Sequence, residues 1–79
     1  MARKLRNNFL ILLTQKEQRE GRRIRNTQIA EETGVTLPTV HRWLRNEVTK
    51  FDMPVLEAFC DYFDCDLWDL LIMERTAKG

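Results

Sequence analysis

The stretch from Asn26 to Leu44, NTQIAEETGVTLPTVHRWL, carries two short helical patterns separated by a glycine. Ile29, Ala30 and Thr33 fall on one helical face, Gly34 interrupts it, Val35 is an apolar plug, and Val40 and Trp43 begin a second face at matching spacing. Two helices that cross steeply after a turn of about three or four residues need two things: a residue that tolerates positive φ at the bend and a small side chain at the crossing. Gly34 and Ala30 meet those needs. Thr36 is placed to cap the second helix with its hydroxyl, and Pro38, just inside its start, leaves no amide hydrogen unpaired there. The layout is that of a helix-turn-helix, and it predicts that Ala30, Val35, Val40 and Trp43 are buried together. A helix of this kind fits the major groove of DNA.

The rest of the chain sets limits around this motif. Its 79 residues suit a single domain over 1–79. A chain this short buries only roughly 60–65% of its unfolded surface, which leaves no room for a multi-layer enzyme core, so neither an enzyme nor a cofactor is expected. Two tryptophans, four phenylalanines and many leucines can fill the centre of a helical bundle without disulfides or metal. No apolar stretch approaches the ~20 residues needed to span a bilayer. The run Phe9 to Leu13 that follows the basic start is too short for a signal peptide, so no membrane partner and a cytoplasmic location are expected. Cys60 and Cys65 lack the spacing of a metal-binding pair, and the single histidine, His41, lies inside the motif, so no zinc set can be assembled. The thiols are read as reduced, Cys60 as a small core residue and Cys65 near a turn.

The net charge is +1, but the charges are segregated. Residues 1–50 hold eleven Lys or Arg against five Asp or Glu, while residues 51–79 hold two against seven. The basic half contains the helix-turn-helix. Such an asymmetry would turn that half toward phosphate and the acidic end outward.

Helical spacing of Leu5, Phe9, Leu12 and Leu13 predicts an amphipathic helix over about 3–19. The stretch KEQREGRRIR, Lys16 to Arg25, is almost wholly charged, with Gly21 as a helix stop and Ile24 as its single apolar anchor. It is expected to be the most mobile internal segment, with Arg19, Arg22, Arg23 and Arg25 free for phosphates. Further helices are predicted over about 27–33, 37–45, 53–63 and 67–74. Asp52 caps the fourth, Pro54 sits in its first turn, and Val55, Leu56, Phe59, Cys60 and Phe63 form its apolar stripe. Asp66 and Asp69 resemble a capping arrangement at the start of the fifth, whose Leu67, Leu70 and Leu71 close the bundle. No period-two alternation or hairpin dipeptide predicts a strand.

With five short helices, the Gly34 turn, Arg42-Trp43-Leu44, Pro54 at the next helix start and Leu70-Leu71 after an acidic turn, the chain resembles the lambda repressor-like, Cro/repressor-type (XRE) DNA-binding domains over about residues 5–72. The resemblance implies an all-α five-helix domain that takes part in transcription regulation, often as a homodimer on double-stranded DNA, with the third helix in the major groove. It places a side chain that steadies the reading helix or meets phosphate at Asn26, beside Thr27. It puts base-reading positions at Leu37, Pro38, His41 and Arg42, with Thr36 and Thr39 alongside. Glutamine commonly stands at the Asn26 position, and polar readers at those of Leu37 and Pro38. An apolar pair there cannot hydrogen-bond base edges, so direct readout would rest on His41 and Arg42, with weak sequence discrimination. Arg45, one turn on, is read as a phosphate contact, as are Arg22, Arg23, Arg25 and Lys50. Trp43 is read as core. Trp68 either forms an exposed apolar patch with Ile72 and Met73, a candidate dimer contact, or folds back over Phe63. Two other functions fit the residues: an antitoxin-type or accessory regulator gripping a protein partner through its acidic half, and a protein-interaction module without DNA affinity.

Overall fold

The computed structural model describes residues 2–76. Its elements run β1 (Ala2–Asn7), α1 (Phe9–Glu20), α2 (Asn26–Thr33), α3 (Leu37–Leu44), α4 (Met53–Phe63), α5 (Leu67–Leu70) and β2 (Leu71–Thr76). The five expected helices are present, with α2, α3 and α4 within one residue of their expected bounds. Both ends of the chain depart from expectation, because β1 and β2 pair as a two-stranded antiparallel sheet.

The first helix, expected over 3–19, therefore begins only at Phe9. The step of four from Leu5 to Phe9 imitates a helical face, but two asparagines interrupt it. Asn7 Oδ1 accepts the Phe9 N–H at 3.0 Å, and the Asn8 N–H leaves the local chain to donate to Leu70 O at 2.7 Å. The fifth helix, expected over 67–74, stops at Leu70. Beyond it Leu71 pairs with Asn7, Ile72 with Arg6, Met73 with Leu5 and Glu74 with Lys4. Strand partners more than sixty residues apart leave no turn signal in the sequence. On one face of the ribbon, Asn7 and Leu71 are buried, whereas Leu5 and Met73 lie past the edge of the core and are exposed. On the other face Arg6 Nε meets Glu74 Oε2 at 2.7 Å; a pair this open to solvent contributes about 0–1 kcal/mol.

Phe9, Leu13, Ile24, Ile29, Val35, Val40, Trp43, Phe59, Phe63, Leu70 and Leu71 form the core. Val35, Val40 and Trp43 are buried as expected, but Ala30 is half-buried and packs against the edge of this cluster. Gly21 ends α1 with φ 66° and Gly34 ends α2 with φ 77°, where any side chain would be strained by its own backbone. The charged segment after Glu20 is tied down twice: Ile24 is buried, and its N–H donates to Glu17 Oε2 at 2.9 Å.

Two caps differ from the sequence reading. Thr36 is the N-cap residue of α3 in backbone terms but makes no side-chain bond to the helix, because its hydroxyl pairs with that of Thr39 at 2.9 Å. Asp52 likewise precedes α4 without a side-chain cap bond. The box at α5 does form, with the Asp66 N–H donating to Asp69 Oδ2 at 3.0 Å.

Asn46 links the end of α3 to β1. It takes the left-handed conformation, φ 57°, and its Oδ1 accepts the Asn7 N–H at 3.0 Å. Asn46→Ala removes this bond and is expected to lower stability by roughly 1–3 kcal/mol, whereas Asn46→Gly, which relieves the left-handed strain, loses about 1 kcal/mol less. Urea unfolding of the two variants checks the order; equal losses would show that the backbone conformation contributes nothing.

Tyr62 of α4 is the only tyrosine in the chain. Its hydroxyl oxygen is buried without a hydrogen-bond partner among the described residues, and Lys16 Nζ lies 4.7 Å from the ring centre. Burial, followed by the charges of Glu32 and Glu20, pushes the phenol from 10.0 up to about 12. A group whose proton is held more tightly in the folded chain stabilises the fold below its unfolded value and loses that contribution as pH rises toward the folded one. Stability is therefore expected to fall between pH 10 and about 12, together with appearance of the tyrosinate absorbance. Ionisation centred at the ordinary value while the fold persists would mean that the hydroxyl is solvated.

Candidate nucleic-acid interface

The geometry of α3 follows from what it must bury. Val40 and Trp43, three residues apart, point inward and are almost fully covered. Side chains offset by half a turn must then face water, and Pro38, Arg42 and Arg45, spaced four and three apart, are all exposed. His41, Leu37 and Thr39 lie on the flanks and are half-buried. Thr36 is exposed just before the helix. Of the expected base-reading positions, Pro38 and Arg42 thus share the outward face, and His41 borders it on one side.

Trp43 anchors this arrangement. Its ring packs edge-on against Phe59 of α4, with centroids 5.0 Å apart, against Phe51 of the connector at 5.5 Å, and lies 6.2 Å from Phe9 of α1. The reading of Trp43 as core is correct, and the indole is unavailable to a base. The helix ends in a Schellman closure around the left-handed Asn46: after the Arg45 N–H donates to His41 O at 3.1 Å, the Asn46 N–H donates to Trp43 O at 3.2 Å and the Glu47 N–H reaches back to Arg42 O at 2.9 Å. Asn46, one residue past the helix expected over 37–45, fixes this end of α3; an asparagine directly after a helical pattern is the one local signal for it.

The cations differ in how free they are. Arg22 is engaged by Glu20, with Nη2 to Oε1 at 2.7 Å, and Glu20, whose carboxyl Lys16 and Arg22 hold below its usual value, also takes Lys16 at 2.9 Å. Among the described residues no ion pair holds Arg23, Arg25, Arg42, Arg45 or Lys50, and all five are exposed. Arg42 and Lys50 line one surface hollow of about 280 Å³ with Thr39, Glu47, Thr49 and Asp52. Glu47 and Asp52 border the guanidinium there without forming an ion pair with it. Arg19 lies elsewhere, in a hollow with Trp68 and Ile72. Asn26 is the first residue of α2 and half-buried, with Thr27 exposed beside it.

The C-terminal patch is divided by the strand. Trp68 is 78% exposed and does not fold over Phe63. Ile72 lines the same hollow. Met73, the next residue along β2, points to the opposite face, where it is paired with Leu5. The sheet has only β1 and β2, so β2 carries a free edge among the described residues.

Among the described residues no group of three or more His, Cys, Asp or Glu is placed to hold a metal ion, and no helix is long and apolar enough to cross a membrane. Residues 16–75 match the family model of the Cro/C1-type HTH DNA-binding domain, from within α1 to within β2. No curated protein and no solved structure matches the chain.

Proposed function

The chain belongs to the Cro/C1-type HTH DNA-binding domains, and from that premise we propose that it is a sequence-reading transcription regulator that lays α3 in the major groove and binds as a homodimer. One observation carries the reading: α3 is clamped from behind by Trp43 and offers Arg42 and Arg45, unpaired among the described residues, on its outer face. A rigid helix with a free guanidinium on the outer face of its last turn has the geometry for bidentate contact to guanine, the commonest specific base contact. Pro38 and Leu37 can add only van der Waals contact, such as to a thymine methyl, and His41 is placed beside them. Thr36 and Thr39 share one hydroxyl–hydroxyl hydrogen bond, which leaves the accepting hydroxyl its own O–H to offer to a base or phosphate. Arg45, Lys50, Arg23 and Arg25 are assigned to phosphates. Asn26 and Thr27, at the positive end of the α2 dipole, are assigned to the same strand contacts. Arg22 reaches a phosphate only by leaving Glu20.

The test is binding to random and selected duplexes across a salt series. If a dimer makes about six phosphate contacts, affinity is expected to drop roughly 10³-fold between 50 and 200 mM salt. A flat response, or no binding at low salt, would instead support the protein-interaction module.

Arg42 and Arg45 are expected to fail differently. A base contact discriminates between sequences and a phosphate contact does not. Arg42→Ala should therefore reduce the preference for the selected site by about 1–3 kcal/mol, while Arg45→Ala weakens selected and random DNA alike. Equal losses for the two variants would remove Arg42 from base reading.

For the dimer, Trp68 and Ile72 on one face of the α5–β2 segment and Met73 on the other flank the free edge of β2, and together they form the proposed contact. Two-fold related half-sites require reading helices about 34 Å apart. A tryptophan as open as Trp68 at the centre of such a contact should carry about 2 kcal/mol or more of the association energy. In sedimentation equilibrium, Trp68→Ala with native helical content is expected to be monomeric at concentrations where the parent chain is dimeric. A parent chain that stays monomeric at high micromolar concentration, or a fully dimeric variant, overturns the assignment.

A further inference from the structure

Helix α4 ends in a paired closure that brings the chain's two cysteines together. Asp64 takes the left-handed conformation, φ 52° and ψ 56°. Its N–H donates to Asp61 O at 3.2 Å, and the N–H of Cys65 donates to Cys60 O at 3.0 Å. These are the inner and outer bonds of a Schellman closure, in which the side chain three positions inside the helix end and the one just past the left-handed residue come into contact. Ordinarily that contact is between two apolar residues. Here the two positions are Cys60 and Cys65.

Several observations agree with this pairing. Both thiols are free and each lies close enough to perturb the other's ionisation. The main-chain bond joins the two residues themselves, which holds their backbones near the separation that disulfides use, about 4.4–6.8 Å between Cα atoms. Neither side chain is sealed off. Cys60 opens on a groove with Met53, Leu56 and Leu67, and Cys65 on the hollow with Arg19 and Trp68.

We propose that Cys60 and Cys65 form an oxidisable dithiol that closes to an intramolecular disulfide across the C-terminal turn of α4. The oxidant is a small disulfide such as oxidised glutathione. A thiolate of the pair attacks it and releases one glutathione thiolate; the second cysteine then displaces the remaining glutathione from the mixed disulfide. Two S–H bonds are lost, one protein S–S bond forms, and the two electrons and two protons leave on two glutathione molecules.

The surroundings set the pace. Burial is the main cause that pushes both thiols up, Cys65 to about 11; the carboxylates of Asp66 and Asp69 act in the same direction on both, and that of Asp61 on Cys60. Glu57 borders the Cys60 groove, and Arg19 is the cation in the Cys65 hollow. Because the thiolate is the attacking species, closure is slow at neutral pH and accelerates about tenfold per pH unit below the thiol's own value. The pair is therefore kinetically guarded, and it lies at the junction between α4 and the Trp68-bearing α5, away from α3.

The test uses the full chain in glutathione redox buffers at pH 8.5, with and without urea. In the folded chain the expected product is a single covalent chain lighter by about 2 Da, with neither cysteine accepting iodoacetamide until a reductant is added, and with a melting temperature raised by roughly 5–10 °C. Since closure should favour the fold, the equilibrium constant for the disulfide is expected to be at least about tenfold larger in the folded than in the urea-unfolded chain, by linkage. Cys60→Ser and Cys65→Ser, whose folding is checked by circular dichroism, should each abolish the mass loss and the rise in melting temperature. Equal constants in folded and unfolded chains would overturn the proposal, because any short loop can close without help from the fold. Glutathione adducts without closure, disulfides between chains, or thiols that remain fully alkylatable would overturn it as well.

Discussion

Phe9 is the contact on which the arrangement of helices depends. Its ring is fully buried and meets Phe59 edge-on at 4.8 Å, Phe63 edge-on at 5.1 Å and the Trp43 indole at 6.2 Å. One side chain at the first position of α1 therefore touches two turns of α4 and the back of α3. Each such aromatic pair adds about 0.5–1.5 kcal/mol beyond its buried area. For a small domain whose whole stability is about 5–15 kcal/mol, this cluster accounts for a large share. It also fixes direction. A helix of eight residues is too short to hold its orientation alone, so the outward aim of Arg42 and Arg45 is set by the aromatic ring behind them.

The strand pair solves a second problem, how to hold the ends of a chain whose helices do not reach them. A two-stranded ribbon is marginal by itself in water, and half of this one extends beyond the core. It is secured at its base instead. Asn7 and Leu71 are buried there, the Asn8 N–H donates to Leu70 O, Asn8 Nδ2 donates to Asp69 O at 3.2 Å and Asn46 Oδ1 accepts the Asn7 N–H. The consequence is mechanical. The end of α3 is joined through Asn46 to β1, and β1 is joined through the ladder to β2, so α3 and the exposed Trp68 segment belong to one connected framework.

The limits of the sequence reading follow from this division between local and distant interactions. The helices α2, α3 and α4 were legible because their apolar spacing, and the Gly34 stop between α2 and α3, are encoded within a few residues of each other. The outward face of α3 was legible for the same reason: once Trp43 is assigned to the core, helical phase alone sends Arg42 and Arg45 outward. The strands were not legible, since the partner of Leu5 is Met73 and nothing near either residue announces the other. Leu5 and Phe9 even mimic a helical step, and only the Asn7-Asn8 pair argues against it. The Thr36 and Asp52 caps were misread because a hydroxyl or carboxylate at the right position has competing partners, and at Thr36 the competitor was the Thr39 hydroxyl. The splitting of Ile72 from Met73 follows from the same error about the end of α5, as a strand alternates faces where a helix would not.

On the proposed reading, the apolar first turn of α3 has a consequence for how the regulator finds its site. With Leu37 and Pro38 unable to hydrogen-bond a base edge, each protomer reads few positions directly, and one good guanine contact supplies only about 1–3 kcal/mol of discrimination. A genome presents roughly 10⁶–10⁹ competing sites, so such a monomer would be distributed over nonspecific DNA by its phosphate contacts. Discrimination must then come from requiring two half-sites at a fixed separation, which multiplies two weak preferences and adds a spacing rule. That requirement falls on the rigidity between the reading helix and the dimer contact. The Asn46–Asn7 bond and the β1–β2 ladder are the path that supplies it. On that same proposed reading, the small sheet at the periphery would serve specificity as much as stability, since a ribbon that frayed would leave α3 intact while releasing the spacing between two copies of it.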